Sequence, residues 1–233
     1  MSQNWDDLAE WWSAEVVKDQ AYATDVHPIL GDLLPEEPGA AMDLGCGEGQ
    51  GMRITGAFGC DLSIDLLRRA TASGPVVQTR LPDLGWLRDA SLDTAYAVYL
   101  LDLIEDDDGF FRESARVVRP GGALVVVMNH PVYTAPGSAP ISDTDGEILW
   151  RWGSYFKRGS SSEPAGAGEV EFFHRPISDL LTTAAASGWL LTRIIERGLS
   201  REVIESIPSY VGQEDIPRLL GVRWTRGRSA PGL

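Results

Sequence analysis

The chain has 233 residues, 43% of them hydrophobic, and 34 acidic against 20 basic side chains give it a net charge of −14. That length holds one large α/β domain with a real core. The acidic balance excludes nucleic acid as the main partner, because phosphates need a cationic surface, and it equally disfavours an anionic membrane. No window approaches the roughly 18 apolar residues of a membrane span. The acidic start MSQNWDDLAEWW is unlike a signal peptide, so the expectation is a cytoplasmic protein, monomer or homodimer. Cys46 and Cys60 lie inside strand-and-turn patterns and offer neither a disulfide nor a metal framework.

Taken in chain order, residues 5–18 place Trp5, Leu8, Ala9 and Trp12 on one helical stripe, and 22–34 form a second amphipathic helix that ends before Pro35. GAAMDLG is a short buried strand running into glycines, and GAFGCDLS is a second strand. Ser63 caps a helix over IDLLRRATAS that Gly74-Pro75 terminates. PVVQTR and LDTAYAVYLL are the third and fourth strands, DGFFRESARVV is a helix stopped by RPGG, and ALVVVMN is a fifth strand, apolar on both faces. PISDLLTTAAAS is a helix, and WLLTRIIE and RLLGVRWTR are the last strands. Alternation of this kind means a doubly wound, mainly parallel sheet of Rossmann-like type. The Ser/Gly/Pro-rich stretch 134–168 reads as a loop inside the chain, a lid and not a linker. One domain is expected: a helical cap over 1–37, a core over 38–130, a lid over 131–173, and a closing helix with strands over 174–233.

MDLGCGEGQGMR, residues 42–53, sets four glycines within seven positions behind the first strand. Gly45, Gly47 and Gly49 let the backbone come close to a ligand at the carboxyl edge of the sheet. The dinucleotide pattern G-x-G-x-x-G fits badly, since Gln50 stands where its third glycine is needed, and only about ten residues separate Gly49 from Asp61. At most a turn or two of helix fits there.

Asp43-Leu44-Gly45-Cys46-Gly47-Glu48-Gly49 resembles the glycine-rich first motif of class I S-adenosylmethionine-dependent methyltransferases. GCDLS resembles that family's acidic end of the second strand, ARVVRPGGALVVV its proline–glycine–glycine turn before the fifth, and LLTTAAASGWLLTRIIERG its final helix–strand unit. The resemblance implies a seven-stranded sheet, S-adenosylmethionine as cofactor and a small-molecule methyl acceptor. It implies that Asp61, with Leu62, holds the ribose diol, and a carboxylate suits two such hydrogen bonds. Asp43 would orient the loop, Gly45, Cys46 and Gly47 would approach the amino-acid end, Asp83 would take the adenine amino group against Leu84, and Tyr22, Tyr99 and Leu100 would line the other side.

The acceptor is expected among the aromatics outside the regular core: Trp5, Trp11 and Trp12 in front, then Tyr133, Trp150, Trp152, Tyr155 and Phe156 behind, with Asn129 at the end of the fifth strand. Aromatic walls exclude water, suit a planar or apolar molecule, and hold a cation against ring faces. His130, in MNHP, and His174, in FFHRP, are the candidate general bases, because a neutral imidazole accepts a proton near pH 7. The function expected is methyl transfer to an aromatic or apolar metabolite. The alternatives are a nicotinamide-dependent oxidoreductase and a non-catalytic cofactor-binding regulatory domain.

Overall fold

Short apolar runs alternating with amphipathic stretches assemble one seven-stranded sheet in this computed structural model, which describes residues 5–18, 21–166 and 168–228. In chain order the strands are β1 (Ala41–Leu44), β2 (Phe58–Asp61), β3 (Val76–Gln78), β4 (Leu92–Val98), β5 (Val118–Asn129), β6 (Ala139–Ser142), β7 (Ile148–Arg151), β8 (Gly159–Ala165), β9 (Gly168–His174), β10 (Trp189–Arg197) and β11 (Leu219–Arg226). The helices are α1 (Trp5–Lys18), α2 (His27–Leu33), α3 (Gln50–Thr55), α4 (Ile64–Ala70), α5 (Asp107–Val117), α6 (Pro131–Thr134), α7 (Ile177–Ala186) and α8 (Arg201–Ser206).

The sheet order is β10-β11-β5-β4-β1-β2-β3. From β3 to β5 every pair is parallel, and β11 inserts antiparallel between β5 and β10. The order reverses between β1 and β4, which opens a crevice at the carboxyl ends of these strands. The middle strand β5 shows why both faces are covered. Leu124, Val126 and Met128 pack with Phe110 and Phe111 of α5, Leu180 of α7, Trp189 and Trp224. The alternate residues Val125 and Val127 pack with Ile29, Leu30 and Leu33 of α2 and with Tyr96. A period of two delivers successive side chains to opposite layers.

The fold departs from the sequence pattern most in three places. RPGG does not separate helix from strand; it lies within β5, and the β4–β5 pairing skips from Leu92↔Val118 to Thr94↔Ala123 to absorb it. Helix α8 was not expected. It is a single short turn of helix, too brief to show periodicity, capped by the Ser200 hydroxyl accepting from the Val203 N–H. The segment 134–168 is not a loop: β6 pairs with β7 and β8 with β9, both antiparallel. Ser, Glu, Pro and Gly dominate β8, so it lacks the alternation that marks a strand, and its partner supplies what its own sequence does not.

Candidate active site

The crevice holds a cavity of about 500 Å³. Its floor comes from the carboxyl ends of four strands. Gly45 and Gly47 follow β1, Asp61 and Leu62 end β2, Thr79 to Pro82 follow β3, and Val98 to Leu100 end β4. The segment Leu103–Asp106 forms one wall, Trp5 and Trp12 of α1 another, and Glu171 and Phe173 of β9 a third.

The glycine loop is pinned to β2. The N–H groups of Gly45 and Cys46 both donate to the Cys60 carbonyl, at 2.8 and 2.9 Å. Gly45 holds a φ of +72°, and a Cβ there would stand 2.5 Å from Leu100 Cδ1. A side chain at this position would be strained by the left-handed φ and would have to displace the Leu100 methyl groups. Beyond the loop, Gly47 N–H donates to Asp61 Oδ2 and Ser63 N–H to Asp61 Oδ1, each at 2.9 Å. Each oxygen keeps a second lone pair, so the carboxylate is fixed in place and can still accept from a diol. Burial pushes Asp61 up from the usual carboxylate range, against the pull of the Ser63, Gly47 and Leu62 N–H groups.

Asp43 lies deeper, under α3. A Cβ on Gly51 would come 2.5 Å from Asp43 Oδ2 and 2.9 Å from Tyr96 Cε2, so the helix passes directly over the carboxyl only because residue 51 is glycine. Burial pushes Asp43 up to about 8, although a hydrogen bond from Tyr96 favours the ionised form. Cys46 also turns inward, packing with Met52, Leu67 and Ala70.

Helix α1 is fastened across this crevice by two polar contacts, each made by the residue that follows one of its two lining tryptophans. Ser63 Oγ donates to Asp6 Oδ1 at 2.7 Å, and Ser13 Oγ donates to Glu48 Oε2 at 2.7 Å. Trp5 and Trp12 meet edge to face with ring centroids 6.1 Å apart. On its other side α1 packs Leu8 and Trp11 against Ala165, Val170 and Phe172 of the β8–β9 hairpin.

Buried Arg175, just after β9, clamps the opposite wall. Its guanidinium donates to the carbonyls of Leu101 at 2.9 Å, Glu105 at 3.1 Å and Ile104. Arg175 Nε stands 3.1 Å from Asp107 Oδ2, and Arg158 also pairs with Asp107.

Of the residues expected to face the cofactor, Gly45, Gly47, Asp61, Leu62, Tyr99 and Leu100 line the cavity. Tyr22 instead packs behind it, with ring centroids 6.1 Å from Tyr99 and 4.8 Å from His27. Asp83 Oδ1 accepts from the Gly85 N–H at 2.9 Å, and Leu84 is buried in the core, so Thr79 to Pro82 supply the wall assigned to these two. Among the aromatics expected around an acceptor, Trp12 lines the cavity. Tyr133 stacks on Trp150 at 5.2 Å and carries Arg218 over its ring at 3.4 Å, away from the cavity. Trp152, Tyr155 and Phe156 line a shallow surface hollow of their own. Asn129 Nδ2 donates to Asp102 Oδ2 at 3.2 Å.

Both histidines are occupied. His130 Nδ1 accepts from the Val132 N–H at 3.1 Å and caps α6, which leaves Nε2 to carry the proton toward Glu196 Oε1 at 2.8 Å. His174 Nε2 faces the Tyr155 carbonyl at 2.8 Å, so it carries the proton and Nδ1 accepts from Thr134 Oγ1 at 3.1 Å. Burial holds both imidazoles below their ordinary range. Each is neutral, yet neither presents a free lone pair and neither lines the cavity. The cavity residues that sequence reasoning missed are Leu66, Val98, Leu103 to Asp106, Thr79 to Pro82, Glu171 and Phe173. The spacing of Glu171 and Phe173, two apart on one strand, was the available signal for that pair.

A family model for the methyltransferase domain matches residues 42–126. The structure is similar to that of an S-adenosylmethionine-dependent methyltransferase from Mesorhizobium loti, 28% identical, with a TM-score of 0.73 over 85% of this chain and 96% of that one. The chain is 29% identical over 127 residues to a trans-aconitate 2-methyltransferase from an Azoarcus species, covering 49% of this chain and 50% of that protein. It is 32% identical over 126 residues to an uncharacterised 37.1 kDa protein in a Streptomyces fradiae transposon, covering 46% of this chain and 36% of that one. The matched stretch thus spans half or less of these two relatives. Sheet order, glycine loop and these likenesses converge: residues 42–126 carry a methyltransferase domain, on a chain whose fold is that of S-adenosylmethionine-dependent methyltransferases.

Proposed function

We propose that the protein transfers a methyl group from S-adenosylmethionine to a small molecule held in the same cavity. The observation that carries this reading is the single cavity running from Gly45, Gly47 and Asp61 to Phe173 and Glu171, within the roughly 300–1,000 Å³ typical of small-molecule sites. The residues present suit the cofactor. Gly45 leaves the backbone bare where a Cβ would run into the cavity-lining Leu100, and Asp61 keeps a lone pair on each oxygen for a cis-diol. Thr79 to Pro82 and Leu100 would flank the base, and Trp12 would cover the loop.

When bound, the cofactor supplies an electrophilic methyl carbon on a sulfonium centre. The protein then has to exclude water and align the acceptor, and alignment alone is worth several orders of magnitude in rate. Trp5, Trp12, Tyr99 and Phe173 serve both ends as apolar walls. With both histidines engaged by other groups, catalysis by alignment is the reading we adopt. A trianionic acceptor such as trans-aconitate suits this cavity poorly, since one arginine, Arg80, lines it beside Asp61, Glu105, Asp106 and Glu171.

Calorimetric titration tests the reading. S-adenosylhomocysteine is expected to bind one-to-one and NADH not at all; the reverse result would assign a nicotinamide-dependent reaction instead.

A further inference from the structure

The cavity has a charge and ring pattern of its own. Among the described residues, four aromatic side chains, Trp5, Trp12, Tyr99 and Phe173, share it with four carboxylates and one cation, Arg80. Two of the carboxylates are engaged. Asp61 accepts from Gly47 and Ser63, and Asp106 Oδ1 accepts from the Gly109 N–H at 2.8 Å as the cap of α5. Glu105 and Glu171 differ, because among the described residues neither carboxylate has a hydrogen-bond or ion-pair partner.

Their placement is built by the fold. Glu171 and Phe173 stand two apart on β9, hence on one face, and both line the cavity. The other face of β9 puts Val170 and Phe172 into the cluster with Leu8, Trp5 and Trp11, which fixes the strand's orientation. Glu105 belongs to the segment whose carbonyls Arg175 holds, so its backbone is anchored while its carboxylate remains unpaired.

We infer that the cavity selects an acceptor carrying an organic ammonium, a primary or secondary amine on an aromatic or apolar skeleton, with Glu105 and Glu171 as the counter-charges and the aromatic rings as its walls. Ring faces attract cations, most strongly where water is excluded. The net charge of −14 acts in the same direction at longer range, concentrating cations at an acid-lined cleft and repelling anions. The two glutamates hold the cation; its proton is not assigned to them.

This inference rests on reading the cavity as the cofactor site, and the test separates the two. Binding of S-adenosylhomocysteine to the wild-type chain is measured first, and its absence overturns the cofactor reading before any amine is added. With that ligand saturating, 2-phenylethylamine and 3-phenylpropionate, alike in ring and chain but opposite in charge, are titrated in turn. The amine is expected to bind at least about tenfold more tightly, an advantage that added salt reduces. In the double variant E105Q/E171Q the preference is expected to shrink to within about threefold, with S-adenosylhomocysteine affinity and melting temperature unchanged. Equal or tighter binding of the carboxylate, no binding of either, or a preference that survives in the double variant overturns the inference. Loss of S-adenosylhomocysteine affinity in that variant also overturns it, by assigning the glutamates to the cofactor.

Discussion

Two rims of the same cavity are built by different means. Around residues 45–63 the rim is made by backbone: Gly45 bares the chain, and the N–H groups of Gly47 and Ser63 fix both oxygens of Asp61. Across the cavity, residues 103–106 and 171–175 make a rim by side chains. There a strand presents alternate residues, and Arg175 reaches carbonyls 70 to 74 positions away in sequence. A backbone rim is encoded within about twenty residues and tolerates little change of shape. A side-chain rim depends on one buried cation and on long-range register. Damage to the first should show in ligand binding, and damage to the second in stability.

Arg175→Met gives the largest expected effect. It removes the donors to four carbonyls, those of Leu101, Phe173, Ile104 and Glu105, and strips Asp107 of one of its two cationic partners. Breaking a buried pair from one side costs about 3–5 kcal/mol, and Arg158 offsets part of that here. Urea unfolding is expected to show a loss of at least about 2 kcal/mol. A loss below about 0.5 kcal/mol would mean that the wall holds without its clamp and that the contrast between the rims is wrong.

Asp61→Ala is the counterpart on the backbone rim. It should weaken S-adenosylhomocysteine binding by about 1.5–3 kcal/mol, the scale of hydrogen bonds to a charged acceptor. The unfolding midpoint should fall less than in Arg175→Met. Unchanged affinity in calorimetry would move the diol site away from β2.

The two rims also differ in how far they could be read from sequence. The glycine loop, the β1–β5 order and the Asp61 position were legible because each rests on local chemistry: bare backbone, apolar runs and a strand end. The short helix after Gly49 was legible from counting residues alone. The hairpins over 139–174 were not, since β8 lacks the apolar alternation of a strand and acquires its conformation from β9. Nor could the aromatics be sorted in advance. Trp5, Trp12 and Phe173 reach the cavity, whereas Tyr133 and Trp150 stack on each other, and composition is blind to that difference. The histidines could not be sorted for a related reason. A lone pair open for catalysis and one spent on a helix cap look identical in sequence, and His130 spends its lone pair on α6.

His130 gives a middle-sized test. His130→Ala removes a cap and should cost about 1 kcal/mol of stability without changing cofactor affinity. His130→Asn, which can still accept from the Val132 N–H, should recover part of that loss. Because burial holds the folded ring below its ordinary value of 6.5, the native state binds fewer protons than the unfolded chain just below that pH. This residue's contribution is therefore complete above pH 6.5 and is lost as pH falls through the folded value. His130→Asn should show a smaller decline in stability across that acid window. A variant with intact stability but turnover reduced by orders of magnitude would restore the ring as a general base.

The smallest effect is expected at the exposed turn, and it decides what the aromatic segment does. Phe156 is 89% exposed and touches Tyr155 edge to face at 5.2 Å. Tyr155 itself is anchored: its carbonyl meets His174 Nε2, and its hydroxyl accepts from the Ile177 N–H at 3.4 Å. Phe156→Ser removes no buried contact and breaks no hydrogen bond, so its effect on unfolding should stay within about 0.5 kcal/mol. Tyr155→Ala should cost more, because it removes a ring packed on His174 at 5.8 Å and leaves Ile177 N–H without that acceptor. Neither change should alter S-adenosylhomocysteine affinity, since both residues line the surface hollow and not the main cavity. A Phe156→Ser variant that binds the ligand several-fold more weakly would place this turn over the cavity in the bound state. The segment 131–173 would then be the closing lid that its composition suggested, and the side-chain rim would extend well beyond β9.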